Sequence, residues 1–212
     1  MKPPPDPIEE SLSVLRELAA IAQTGLTFAK DVFDRERYSR LQQIVEARLQ
    51  ASSATFPPFD LADVIGTDKG YATPKAEVRA AAFRDGRILM VRELSDGLWT
   101  LPGGWADVNQ SPSEAVVKEV REESGFESRP TKLAALLDTR RQDHPPAFHH
   151  AYKVFFLCDL TGGAARGSIE TDGVDFFALD ALPPLSVRRV TRQQIELMFR
   201  HEQNRALPTS FD

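Results

Sequence analysis

Apolar residues recur at helical spacing twice near the start of the chain. Ile8, Leu12, Leu15, Ala19 and Ala22 form one stripe up to Gly25, and Tyr38, Leu41, Val45 and Leu49 form another after Asp34, a residue type that caps helix N-termini. The spacing predicts two amphipathic helices with a short connection. Each has a single apolar stripe, so the pair must pack on the remaining chain or on a second copy. Residues 1–7 are Pro-rich and expected to be extended or disordered, and residues 51–74 dissolve into Ser, Pro, Gly and Asp-rich sequence that reads as a linker.

Beyond the linker the period changes. Residues 76–83 and 87–91 are β-prone runs joined across Arg84-Asp85-Gly86, a hairpin signal. Residues 98–101 continue the sheet into Pro102-Gly103-Gly104, and 133–137, 152–160 and 174–179 are further strands, with Gly162 and Gly163 between the last two. Two helices interrupt this pattern. Ser111 and Glu114 form a capping box with Pro112 at the first helical position and Gly125 as the stop, and Thr191 with Gln194 forms a second box before Ile195, Met198 and Phe199. Strands, a helix, more strands and a last helix predict an α/β (α+β) domain, a mixed sheet sandwiched between helices.

Composition narrows the class. The 212 residues suffice for one ordinary domain and a small extra module, and 42% hydrophobic with 27% charged residues is the balance of a globular protein. A net charge of -5 argues against a nucleic-acid-coating surface, though not against a nucleotide substrate bound through metal ions. Residues 1–50 hold seven Lys or Arg against eight Asp or Glu, so the helix pair reads as a packing or dimerisation element without a DNA-binding surface. Cys158, the one cysteine, sits in an apolar run and reads as a buried thiol. With no apolar leader and no stretch of membrane-spanning length, a cytoplasmic protein is expected.

The chemistry concentrates in residues 103–126, GGWADVNQSPSEAVVKEVREESGF. Glu119, Glu122 and Glu123 stand at i, i+3 and i+4, which puts three carboxylates on one helical face. Such a face is either a solvated acidic surface or a platform for a hard divalent ion, which takes oxygen ligands from carboxylates, waters and phosphates. The stretch resembles the signature of the Nudix hydrolase family, G-x5-E-x7-R-E-U-x-E-E-x-G-U. Aligned from Gly104, the chain supplies Glu119, Val120, Glu122, Glu123, Gly125 and Phe126 in register, with Gln110 in place of the first Glu and Lys118 in place of the Arg. Lys118 could partly orient a neighbouring Glu as the family's Arg does, without its bidentate fork.

The resemblance implies the Nudix fold and a pyrophosphohydrolase using Mg2+, with Mn2+ as the alternative ion. By the same analogy Glu119, Glu122, Glu123 and the Gly103 carbonyl hold the metal. A second likeness, in LAAIAQTGLTFAKDVFDRERYSRLQQI, is to the helical module that precedes the catalytic domain in one Nudix subgroup, and covers most of residues 11–45. This divides the chain into a module at 1–65, packing or dimerising, and a catalytic domain at 66–212. The subgroup implies a nucleoside diphosphate linked to X, of CDP-choline or ADP-ribose type, split to a nucleoside monophosphate and phospho-X, while the two striped helices, whose apolar area a monomer would expose, predict a homodimer. The alternative is a catalytically reduced nucleotide-sensing module, kept open by Gln110 and Lys118.

Outside the signature, Nudix enzymes often recruit a further downstream Glu, and Glu170 is the candidate catalytic residue, with Asp172 as the neighbour that could replace it. Trp105 could stack on a base, or simply pack. Arg79, on a strand among Ala and Val, could reach a substrate phosphate or snorkel to solvent. His144, His149 and His150 lack zinc-ligand spacing and read as loop residues.

Overall fold

The structure, a computed structural model, describes residues 7–51 and 70–212, so the Pro-rich start and most of the expected linker fall outside the described residues. The chain divides into two compact units, Met1–Pro74 with Pro146–His150, and Lys75–Pro145 with Ala151–Asp212.

In the first unit, helices α1 (Pro7–Phe28) and α2 (Val32–Ala51) bury Leu12, Val45 and Leu49 together with Phe148. Two local expectations are corrected. Helix α1 runs through Gly25 and does not end there: a Cβ at that position would meet the Tyr38 ring at 2.4 Å, so the glycine serves the close approach of the two helices. The cap of α2 is Asp31 and not Asp34, since the Asp31 carboxylate accepts from the N–H groups of Phe33 (2.8 Å) and Asp34 (3.1 Å). Not all of the apolar surface is used internally. Val14, Ile21, Phe28, Val32 and Phe33 are exposed, and an open groove of about 550 Å³ is lined by Ile21, Thr24, Phe28, Tyr38 and Tyr71 among others.

The second unit runs β1 (Lys75–Arg84), β2 (Arg87–Glu93), β3 (Trp99–Thr100), α3 (Pro112–Ser124), β4 (Phe126–Asp138), β5 (Ala151–Gly163), β6 (Thr171–Phe177), α4 (Arg192–Gln203) and β7 (Ser210–Phe211). The described strands form one mixed sheet in the order β3-β2-β1-β5-β4-β7, with β6 paired to β2. The β1–β5 and β4–β7 pairs are parallel, the remaining pairs antiparallel. Asp85 (φ 50°) and Gly86 (φ 71°) make the tight turn between β1 and β2, as the hairpin signal required.

Strand alternation sorts the core into two layers. Val78, Ala80, Ala82, Leu89 and Cys158 lie under α3 with its Ala115, Val116 and Val120. Ala81, Ile88, Met90, Phe155 and Leu157 lie on the other side with Ile195, Met198 and Phe199 of α4. The sheet is thus covered by a helix on each face. Burial pushes the Cys158 thiol up to about 12, in keeping with a structural role.

Candidate active site

Both ends of α3 follow from local sequence chemistry. The Glu114 N–H donates to Ser111 Oγ (3.3 Å) and the Ser111 N–H to Glu114 Oε2 (2.8 Å), while Gly125, at φ 76°, donates to the Arg121 carbonyl (3.1 Å). The apolar stripe of α3 docks on β1, and the turn at 102–104 runs along the same strand. The N–H groups of Val78 and Ala80 donate to the carbonyls of Gly104 (2.9 Å) and Pro102 (2.8 Å), and the Ala106 N–H to that of Ala76 (3.0 Å).

This brings the glycine turn against the carboxylate face. The Gly103 N–H donates to Glu123 Oε2 at 2.8 Å, and a Cβ on Gly104 would stand 3.2 Å from Glu119 Oε2. Glu123 is 5% exposed. Burial first, then the nearby Glu119 and Glu93, pushes its carboxyl up to about 8 against the opposing pull of Arg79 and the Gly103 N–H. Glu119 is also raised, by burial first and by Glu122 and Glu170, against the Lys118 and Arg79 cations. Glu122 faces solvent more openly, with Lys118 Nζ 3.8 Å away, and Lys118 also holds Asp107 Oδ2 at 2.7 Å. The lysine in the signature's arginine position therefore ties the loop before α3 to the helix.

Among the described residues, no three His, Cys, Asp or Glu side chains are gathered as a ligand set. The donor chemistry still fits a hard divalent cation, because these carboxylates share one helical face and two of them, Glu119 and Glu123, are raised by burial first and by a neighbouring carboxylate second, so that a cation beside them would offset both effects.

The other expected residues fall differently. Glu170 lies in the loop before β6; its carbonyl accepts from the Leu94 N–H (2.8 Å) and its charge reaches Glu119 and Glu93. Asp172 is instead paired with Arg92 through two hydrogen bonds, 2.7 and 3.1 Å. Trp105 is 46% exposed beside the turn, with Lys75 Nζ 5.7 Å from its ring centroid. Arg79 is not presented to a phosphate. It is 3% exposed, and its guanidinium donates to Glu77 (2.7 Å) and to the Leu101 carbonyl (2.8 Å), because a cation inside the sheet must find its acceptors there.

Sequence reading missed Glu77, Glu93, Lys153 and Arg189. Glu77 and Lys153 pair at 3.1 Å, and Glu93, at the end of β2, pairs with Arg189 at 3.0 Å. The available signal was a charge next to apolar residues in each of β1, β2 and β5, namely Glu77, Glu93 and Lys153, since a charge buried there requires a partner.

His144 is also a structural group, distinct from any ligand set. It bonds the Val187 carbonyl through Nδ1 (2.7 Å) and Gln194 Nε2 through Nε2 (2.9 Å), an arrangement suited to the neutral ring with its proton on Nδ1. Burial first, and then the Lys153 and Arg79 cations over the opposing Glu77, lowers its pKa to about 4. A lowered folded-state pKa stabilises the fold above the ordinary value of 6.5 and loses that contribution as pH falls through about 4. Melts across that window are expected to fall less steeply for His144→Gln than for wild type. Equal slopes would count against this assignment.

A NUDIX domain matches residues 73–198, and a UDP-X-like N-terminal oligomerisation domain matches residues 9–64. The chain belongs to the Nudix hydrolase family. Its hydrolases generally use divalent metals. YjhB of Bacillus subtilis (strain 168), provisionally named an ADP-ribose pyrophosphatase, is 44% identical over 93% of this chain and 94% of its own. A solved UDP-X diphosphatase is 35% identical over 97% of this chain and 99% of its own, with a TM-score of 0.63. An ADP-ribose pyrophosphatase from Streptococcus suis is 43% identical over 66% of this chain and all of its own (100%), with a TM-score of 0.61. The Nudix chain described here is thus like both kinds of hydrolase. Among its described residues, no helix is long and apolar enough to cross a membrane.

Proposed function

We propose that this Nudix hydrolase splits the pyrophosphate bridge of a nucleoside diphosphate linked to X, with ADP-ribose, UDP-linked and CDP-choline-type compounds as the substrates to try first. The observation that carries the reading is the likeness to YjhB and to the UDP-X diphosphatase over nearly the whole chain, helical module included. A water oxygen adds to one bridge phosphorus as the phosphorus–oxygen bond on its far side breaks, giving a nucleoside monophosphate and phospho-X.

Glu119, Glu122, Glu123 and the Gly103 carbonyl would hold Mg2+, or Mn2+. Such an ion, when bound, neutralises charge on the phosphates and acidifies bound water. Glu170 is the proposed acceptor of the water proton, a role supported by its solvent access and its electrostatic reach to Glu119. The exposed Trp105 indole offers a face on which a base can stack, and Lys118 restrains Glu122. Arg79 acts from within, on the turn. The proposed setting is the cytoplasm, where Cys158 stays reduced.

The test is release of nucleoside monophosphate from ADP-ribose, UDP-glucose and CDP-choline, compared with hydrolysis of ATP and dGTP, each with Mg2+ and with Mn2+. Higher kcat/KM on the diphosphate-bridged compounds is expected. Faster turnover of a triphosphate would overturn the substrate class, and tight binding without turnover would favour a sensing module.

Residues 1–65 are proposed as the assembly module of a homodimer, supported by the apolar residues exposed on α1 and α2 and by the oligomerisation domain matched at residues 9–64. Sedimentation is expected to give a dimer for wild type and a monomer for Phe28→Glu/Phe33→Glu. A wild-type monomer at micromolar concentration would defeat this assignment.

A further inference from the structure

Three charges are buried in the sheet, Glu77 (7% exposed), Arg79 (3%) and Lys153 (1%), and of these Arg79 also acts on the charges of Glu119 and Glu123. The register of β1 on β5 sets Glu77 opposite Lys153. Glu77 Oε1 takes both cations, Lys153 Nζ at 3.1 Å and Arg79 Nε at 2.7 Å. Burial works against the Glu77 charge, but Arg79 and Lys153 outweigh it and hold the carboxyl below its ordinary value.

Each end of this row of ions is tied to backbone. Lys153 donates to the carbonyls of Arg188 (3.3 Å) and Arg189, and Arg79 donates to the carbonyl of Leu101 (2.8 Å). Both backbone ends lead on to the site. Two residues past Leu101, the Gly103 N–H meets Glu123. At the other end the Arg189 side chain binds Glu93 (3.0 Å) and Asp96 (3.1 Å), and the Leu94 N–H between them holds the Glu170 carbonyl (2.8 Å).

Stability alone does not account for such a row, because apolar residues of similar volume often replace buried ion pairs without loss. Hydrocarbon cannot hold two distant carbonyls at fixed positions. We propose that Glu77 and Lys153 are positioning residues of the hydrolytic site: with Arg79 they form a buried strut from the Arg188–Arg189 backbone to the Leu101 carbonyl, setting where the glycine turn and Glu170 stand relative to Glu123. The inference rests on the hydrolase reading above.

The decisive variant is Glu77→Leu/Arg79→Met/Lys153→Met, which replaces the strut by apolar volume. It is expected to melt near wild type yet lose about 100-fold in kcat, with KM changed by less than about threefold, because misplacing groups by about 1 Å has that effect on rate. Amide hydrogen exchange gives a readout besides activity. Exchange of the Gly103 N–H should quicken while that of Leu157, inside β5, stays as in wild type. Glu77→Gln, which removes one charge and keeps the shape, should lose about tenfold in kcat by the same argument. If the triple variant folds with wild-type kcat and wild-type Gly103 exchange, the strut has no positioning role. If it does not fold, the same two wild-type values in Glu77→Gln overturn the proposal. A wild-type protein that turns over no diphosphate would defeat the hydrolase reading instead, and Gly103 exchange would still decide the strut.

Discussion

Gly103→Ala is expected to lower both thermal stability and turnover. At φ 149° the residue holds a backbone conformation that L side chains rarely adopt, and a Cβ there would stand 2.0 Å from the Val78 carbonyl oxygen and 2.9 Å from Arg79 Cα. Both obstacles are strand backbone, so the turn has to move. Moving it breaks the bonds from Val78 N–H to the Gly104 carbonyl and from Ala80 N–H to that of Pro102, and takes the Gly103 N–H off Glu123. Strain and lost hydrogen bonds together should cost about 2–4 kcal/mol. Turnover should fall by about 100-fold or more in the fraction that stays folded, because Glu123, the carboxylate proposed to face the metal, and the turn part company. Gly104→Ala is the control. A Cβ there meets only the end of the flexible Glu119 side chain, so its melting temperature should stay close to wild type. Melting curves with turnover per folded molecule decide the matter, and wild-type turnover in Gly103→Ala would remove the turn from the active site.

The contrast between these neighbouring glycines also marks how much was legible before the fold. Residues 112–124 were readable as a helix because a capping box, Pro112 and Gly125 are local chemistry, decided within one turn of the backbone. The second box at Thr191 and Gln194 was readable for the same reason. Strand β4 was read at less than half its length. Its first half, with exposed Glu127 and Arg129 flanking half-buried positions, lacks an apolar run and stays extended through its ladder with β5, which a local pattern does not contain. Arg79 shows the same limit at the site. A cation between Ala and Val leaves its acceptors unnamed, and they proved to be Glu77 two residues back and the Leu101 carbonyl brought in by the turn. Lys153, which fixes Glu77, comes from another strand altogether. The three carboxylates of α3 were legible because helical periodicity alone puts them on one face. Lys118 was legible as a counter-charge on the same helix, but Arg79, which acts on Glu119 and Glu123, was not, because it arrives through tertiary structure.

Glu123→Gln separates a metal-facing carboxylate from an ordinary one more sharply than any other single change. The side chain is buried with its carboxyl pushed up to about 8, so in the metal-free protein ionising it works against the fold. With the folded-state pKa above the unfolded value of 4.5, the stability tied to the protonated form is present below 4.5 and lost as pH rises through about 8. A neutral glutamine escapes that loss and can still accept the Gly103 N–H. Without metal, the variant is therefore expected to melt at the wild-type temperature or higher, with the difference widening toward the alkaline end of that window. Addition of Mg2+ should reverse the order, since ions bound only by the folded state raise its stability and the variant would bind them more weakly. Turnover at saturating Mg2+ should fall by about 100-fold or more, the scale set by several kcal/mol of lost charge stabilisation at the reacting phosphate. A glutamate that merely solvates a helix would change neither the melting order nor the rate. A variant that keeps most of the wild-type turnover would sink the assignment of Glu123 to the metal site, whatever its melting temperature.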